Sequence, residues 1–287
     1  MNNKRQKKTT KAISIILIIC IAFLSFDFVA SEITDIYAYE NAEVNTAEWT
    51  AVNQKLLLNE QLTDEDYKII FEQSGLGKPA VDNLIAENRI SDIEKYRDYY
   101  LKDKDFICVR TAIFAKHEAL TDNEGKRILN PDFANIQNGD IIVTLSIHSL
   151  GWRHGHAAIV TNAETGETAQ AVRIFEKSDF GTVWEWNDFP LVAVLRVKDI
   201  DEVTQNEVAK FVSENMIGIP YALSAGVIGG RNTEDKPITT QCAHFVWYAY
   251  KCFGIELDTD GGMVTPKELL HSDKLEIVQV YGNIMEV

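Results

Sequence analysis

The sequence predicts an α+β protein in which a small helical region precedes an antiparallel sheet or small barrel packed on a cysteine-bearing helix. Three observations carry this prediction. Residues 46 to about 103 place apolar residues at helical spacing, with helix start and stop signals between them. Four short β-branched runs then follow between 138 and 198. Last, QCAHFVWYAY (241–250) is an apolar helical run with Cys242 at its start. A chain of 287 residues, 46% hydrophobic and 25% charged, suffices for one large domain or a domain with an appendage.

The first thirty residues read as a targeting segment. Basic NNKRQKKTTK leads into AISIILIICIAFLSF, an apolar run of 15 residues that ends at Asp27. That is short against the roughly 20 residues of a spanning helix and suits a signal peptide; a retained N-terminal anchor is the alternative. Cys20 follows Ile19 rather than a small residue, which argues against a lipid-anchored cysteine. Residues 31–45 are polar, without period, and read as a linker. The expected address is secreted, extracellular or cell-wall associated, with membrane contact only through an uncleaved N-terminal segment.

Residues 1–30 hold five of the 28 basic residues and one of the 43 acidic ones, so the remainder carries a net charge of −19. Such a chain repels nucleic acid and anionic membranes, and nucleic-acid binding is excluded as a leading function. Cys108, Cys242 and Cys252 also remain, an odd number that leaves at least one thiol free or paired between chains. On one helix, Cys242 and Cys252 would stand about 15 Å apart, beyond disulfide reach.

The helical region has its own punctuation. In LTDEDYKIIFEQSGLG, Thr63 is a natural N-cap, acids fill the first turn, and Gly75 or Gly77 stops the helix. Pro79 can start a short helix, and Ser91 with Glu94 has capping-box spacing. FICVRTAIF fits a strand or a buried helix equally. NGDIIVTLSI (138–147), GHAAIVTN (155–162), AQAVRIF (169–175) and LVAVLRVK (191–198) are the four strands. DEVTQNEVAKFVSEN (201–215) is an amphipathic helix, and the cysteine helix that follows stops at Gly254. DTDGG (258–262) begins like a calcium loop but lacks further carboxylates at the required spacing. It reads as a tight turn before a helix capped by Thr265, with Pro266 at its first position and Glu268 closing a capping box.

Two segments could carry chemistry. Thr239 or Thr240 as cap would put Cys242 in a first helical turn, where unpaired amides favour a thiolate. His244, two residues on, is rotated by about 200° and points away from it, so the base must come from elsewhere. WRHGHAAIV supplies His154 and His156, two apart and on one face of a strand.

In this order, GDIIVT, GHAAIVTN, QCAHFVWYAY and MVTPKELL resemble the circularly permuted papain-like hydrolases related to NlpC-type cell-wall peptidases, the YiiX-like group. The resemblance covers roughly residues 135–287. It implies a permuted papain-like domain over 129–287, behind a helical N-terminal region at 46–128. It also implies a cysteine amidase or peptidase with Cys242 as nucleophile and His156 as base. The third polar member falls on Gln170, where the group commonly has a glutamate, with Glu176 as the rival in a shifted register. Tyr221, in GIPYALSAG, matches a pocket-lining position; His154 and His244 complete the substrate-binding candidates. The expected partner is a peptide or peptidoglycan-like substrate, and no cofactor is expected.

Three other readings compete. CAHFV also resembles the cysteine box of lecithin:retinol acyltransferase relatives, which implies acyl transfer between lipids and an apolar docking surface beside the site. His148, His154 and His156 could form a zinc site, although no further ligand stands at a telling spacing. The fold could also be a catalytically inert binding module. Trp184 and Trp186 in WEWNDF could stack on sugars or simply pack.

Overall fold

A computed structural model describes residues 13–22, 25, 46–112, 115–149, 152–226 and 236–286. The proposed linker and the basic N-terminal run lie outside the described residues. Residues 13–22 form an exposed helix, α1, and no helix among the described residues is long and apolar enough to cross a membrane.

Four helices open the folded part: α2 (Thr46–Leu57), α3 (Asp64–Ser74), α4 (Lys78–Ala86) and α5 (Ile90–Tyr100). Thr63 caps α3 in a capping box with Asp66, and Gly75 ends the helix; Pro79 stands in the first turn of α4. The Ser91–Glu94 box does not form. α5 starts at Ile90 behind Arg89, with no side-chain cap, so Ser91 lies inside the helix.

The ambiguous FICVRTAIF resolves as β1 (Asp105–Ala112), paired antiparallel with β2 (Ala115–Thr121). The predicted helical region at 46–128 therefore ends in a β-hairpin. β3 (Ile141–Thr144) belongs to the main sheet, but the chain bends at Leu145–Ser146 and continues as β4 (Ile147–Ser149), which joins β1 and β2.

The main sheet is antiparallel throughout. Beyond β3 it contains β5 (His156–Asn162), β6 (Glu167–Gln170), β7 (Asp179–Thr182), β8 (Val192–Val197) and β9 (Leu275–Tyr281), in the order β7-β6-β5-β3-β8-β9. It is an open sheet, not a barrel. The expected third strand, AQAVRIF, starts earlier and stops at Gln170; residues 171–178 leave the sheet. WEWNDF is not strand-like either, because Val183–Trp186 is a 3-10 turn.

Side-chain alternation sends each strand's residues to two cores. Ile141, Val143, Ala157, Ile159, Ala193 and Leu195 pack against α6 (Glu202–Asn215), α7 (Cys242–Lys251) and α8 (Pro266–Leu270). Ile142, Ala158, Val160, Val192 and Val194 pack against Trp49, Val52, Ile70, Leu84 and Ile93 of α2–α5. The N-terminal helices, together with Phe133, Val183 and Trp186, thus cover one face of the sheet. Their burial of that face is the largest stabilisation they supply, at about 25 cal/mol per Å² of apolar surface.

Candidate active site

Cys242 is the first residue of α7, and Gln241 caps it. Gln241 Oε1 accepts from Ala243 N–H at 2.9 Å, while its Nε2 donates to Val264 O at 2.8 Å. The sequence places this cap at Thr239 or Thr240. Thr240 instead sets its hydroxyl 3.0 Å from His244 Nδ1, because the segment before α7 runs as a strand-like stretch beside Tyr221. The Cys242 thiol donates weakly to Gln241 Oε1 at 3.5 Å.

His156 opens β5. Gly155 before it has φ 68°, and a Cβ there would lie 2.4 Å from Thr144 O, so the turn into the strand admits only glycine. By alternation, His156 shares a face with Ala158 and Val160, where Trp186 stacks on its ring at 5.3 Å and 4°. β6 ends at Gln170, opposite Ala158. The Cys242 sulfur stands against the next amide, that of Ala157, just past that end. The cysteine helix on one face and the imidazole on the other thus both border the stretch of β5 that lies beyond the end of β6.

His156 Nε2 lies 2.7 Å from Gln170 Oε1. An amide oxygen can only accept, so Nε2 carries the proton and Nδ1 is the basic atom of the ring. The far end of the amide is engaged too, since Gln170 Nε2 donates to Glu185 Oε2 at 3.2 Å.

The electrostatics place both the thiol and the imidazole in their neutral forms. Burial pushes the Cys242 thiol up to about 11, against the pull of the Ala157, Ala243 and Cys242 amides. Burial also pushes His156 down to about 4; the Gln170 bond raises it, and nearby His154 lowers it further. The helix terminus therefore does not produce a resting thiolate, contrary to expectation, because desolvation outweighs a few amide dipoles. Each residue is still 7% exposed, so the pair is not sealed from solvent.

The other predicted site residues separate. Tyr221 is half-buried; burial raises its phenol, and the neighbouring Cys242 adds to the rise. His154 borders the pair, with Nδ1 2.8 Å from Gly155 O, Nε2 3.1 Å from Ser149 Oγ, and Trp152 against its ring. His244 is fully buried among Thr240, Trp247 and Tyr248, so its ring presents no surface to a substrate. Glu176 pairs with Arg173 at 2.8 Å, leaving Gln170 as the residue on His156.

Metal ligation by the three histidines finds no support in the geometry. His148 is buried on β4, His154 uses both ring nitrogens, and the three do not converge. Among the described residues only Asp258, Asp260 and Glu268 gather as a possible cation group. Their carboxylates already accept local amide protons: Asp258 from Asp260 and Gly261, Asp260 from Gly262, and Glu268 from Thr259. Glu268 is thus drawn away from the predicted capping box, of which only the Thr265 half forms.

Sequence reading passed over Glu185, Gly181 and Gln241. Glu185 sits in WEWNDF, and nothing in one sequence places its 3-10 turn beside Gln170. No family model, no curated protein and no solved structure matches this chain.

Proposed function

We propose that this protein is a thiol hydrolase that cleaves an amide or isopeptide bond through an acyl-enzyme on Cys242. One observation supports the reading above the rest. A helix-start thiol stands against the amide next to His156, whose proton is held on Nε2 by Gln170 and whose Nδ1 is left basic. Since thiol and imidazole are both neutral at rest, the proton moves during attack rather than before it.

In the first step, Cys242 Sγ bonds to the substrate carbonyl carbon while its proton passes to His156 Nδ1. Gln170 Oε1 stabilises the imidazolium so formed, as a neutral amide can. The oxyanion draws on the backbone N–H of Cys242 at the helix start. The Ala243 N–H is engaged by the Gln241 side chain. Collapse breaks the C–N bond, and the amine leaves with the proton from Nδ1. Water then attacks the thioester, giving its proton to His156, and the thiol is restored with the free acid. Trp186, flat on the imidazole, keeps bulk water from one of its faces. Cell-wall stem peptide is the substrate class that the motif resemblance and the export-type N-terminus favour.

A specific observation favours a second reading, transfer or hydrolysis of a lipid acyl group by the same thiol. Large apolar side chains stand exposed on the segments that flank it: Val172, Ile174, Phe175, Phe180, Leu223 and Ile238. Phe175 is completely exposed and holds φ 73°, a strained conformation for a residue with no buried contact to sustain it. These segments are tied together by Tyr221 N–H to Glu176 O and Thr240 N–H to Pro220 O, both 2.9 Å.

Incubating the full chain with peptidoglycan fragments and, separately, with uncharged phospholipid distinguishes the two by the mass added to Cys242. Amide hydrolysis is expected with the fragments, and Cys242→Ala should abolish it. Turnover that survives this substitution would sink both readings, and an acyl adduct from phospholipid alone would replace the first by the second.

A further inference from the structure

We infer that Glu185 is a positioning residue: its carboxylate fixes the direction of the Gln170 amide and thereby the tautomer of His156. The inference rests on the proposed thiol chemistry and deepens it. It answers a difficulty peculiar to glutamine at this place. The two ends of a primary amide are nearly the same size but opposite in hydrogen-bond character. With Oε1 towards His156, Nε2 of the ring is protonated and Nδ1 is a base. With the amide reversed, an N–H would donate to the ring Nε2, the proton would move to Nδ1, and the ring could no longer take a proton from the thiol.

What selects one direction is the group at the far end. Glu185 Oε2 accepts from Gln170 Nε2 at 3.2 Å, and an ionised carboxylate accepts only. Reversal would set the amide oxygen against the carboxylate oxygens, an acceptor facing acceptors. Gly181 leaves the space for this contact. A Cβ built there would lie 2.3 Å from Gln170 Nε2 and 3.0 Å from Glu185 Oε2. Gly181 is on β7, paired with Thr168 two residues before Gln170, so the sheet register brings the gap and the amide together. The glutamate that the resemblance leads one to expect at position 170 is thus supplied one step further out, by Glu185 acting through Gln170.

The test uses the full chain labelled with ¹⁵N-histidine, and reads the His156 tautomer by NMR at neutral pH; His156→Gln identifies the signal. Acylation of Cys242 by p-nitrophenyl acetate is followed in parallel. The wild type should show the proton on Nε2. Glu185→Ala should give a tautomer mixture and acylation slower by roughly tenfold, the loss of about one hydrogen bond. Glu185→Gln keeps the size of the side chain but can present either an oxygen or an N–H to Gln170, so it too should give a tautomer mixture and slower acylation. Gly181→Ala, which touches neither partner's chemistry, should reproduce the alanine variant by displacing Gln170. A single Nε2–H tautomer in Glu185→Ala, or Nδ1–H in the wild type, overturns the inference. Failure of the wild-type Cys242 to acylate, with the tautomer series as expected, would overturn the proposed hydrolase instead.

Discussion

Two buried polar clusters stand on the same six-stranded sheet and are finished in opposite ways. At one, Arg196 on β8 grips Asp140 in two parallel bonds of 2.8 Å, and reaches Asn135 Oδ1 from Nη1 at 3.1 Å and Asn135 O from Nη2 at 3.0 Å. Asp140, fully buried, also accepts from Gln137 N–H at 2.8 Å. At the other, His156 and Gln170 form one bond, the chain of contacts runs out to exposed Glu185, and a thiol stands against the amide of Ala157, next in sequence to His156. The first cluster spends its charges on each other and fastens the start of β3 to β8. The second holds neutral groups and keeps a ring nitrogen's lone pair in reserve. Burial alone does not distinguish the two clusters, since Arg196 is 9% exposed and His156 7%; the difference is whether an unspent lone pair remains.

Breaking the closed cluster should have the largest effect on stability. Arg196→Met leaves Asp140 buried without its partner and should cost about 3–5 kcal/mol in urea unfolding, while Cys242 acylation per folded molecule stays near wild type. A loss below about 1 kcal/mol would show that the pair is not the clamp described.

Acid should strike the open cluster instead. His156 has its folded value lowered from 6.5 to about 4, so the unfolded chain binds the proton first. The contribution is complete above pH 6.5 and drains away as the pH falls towards 4, by about 3 kcal/mol in all. His156→Gln should flatten the unfolding curve across that window. An unchanged slope would mean that the imidazole is not held neutral.

A smaller effect tests the anchor of α7 itself. Tyr250 donates from its hydroxyl to Gly139 O, tying the cysteine helix to the turn before β3. Tyr250→Phe should lose about 1 kcal/mol and leave the rate at Cys242 little changed. A large fall in rate with intact stability would show that this tie sets the position of the sulfur.

The smallest signal sharpens the contrast most. With the thiol at about 11, difference spectra between wild type and Cys242→Ala should show no ultraviolet thiolate absorbance at neutral pH. Absorbance there would establish a resting thiolate–imidazolium pair, and with it a charged open cluster.

Local chemistry was legible from the sequence alone. Thr63, Asp66 and Gly75 bracket a helix because a cap, its return bond and a left-handed stop act within a turn of each other. β5 and β8 were readable as short apolar runs that suit strands buried on both faces, and α6 because its buried residues recur at helical spacing. The motif resemblance pointed to Cys242 and His156, and to Gln170 or Glu176 beside them. Only the tertiary structure decided what depends on distant neighbours: the open sheet, and the packing of α2–α5 over one of its faces. It likewise decided the burial that keeps Cys242 a thiol, and the 3-10 turn that brings Glu185 to Gln170. A helix cap is set by residues three apart, whereas a pKa and an amide's direction are set by groups that meet only after the chain has folded.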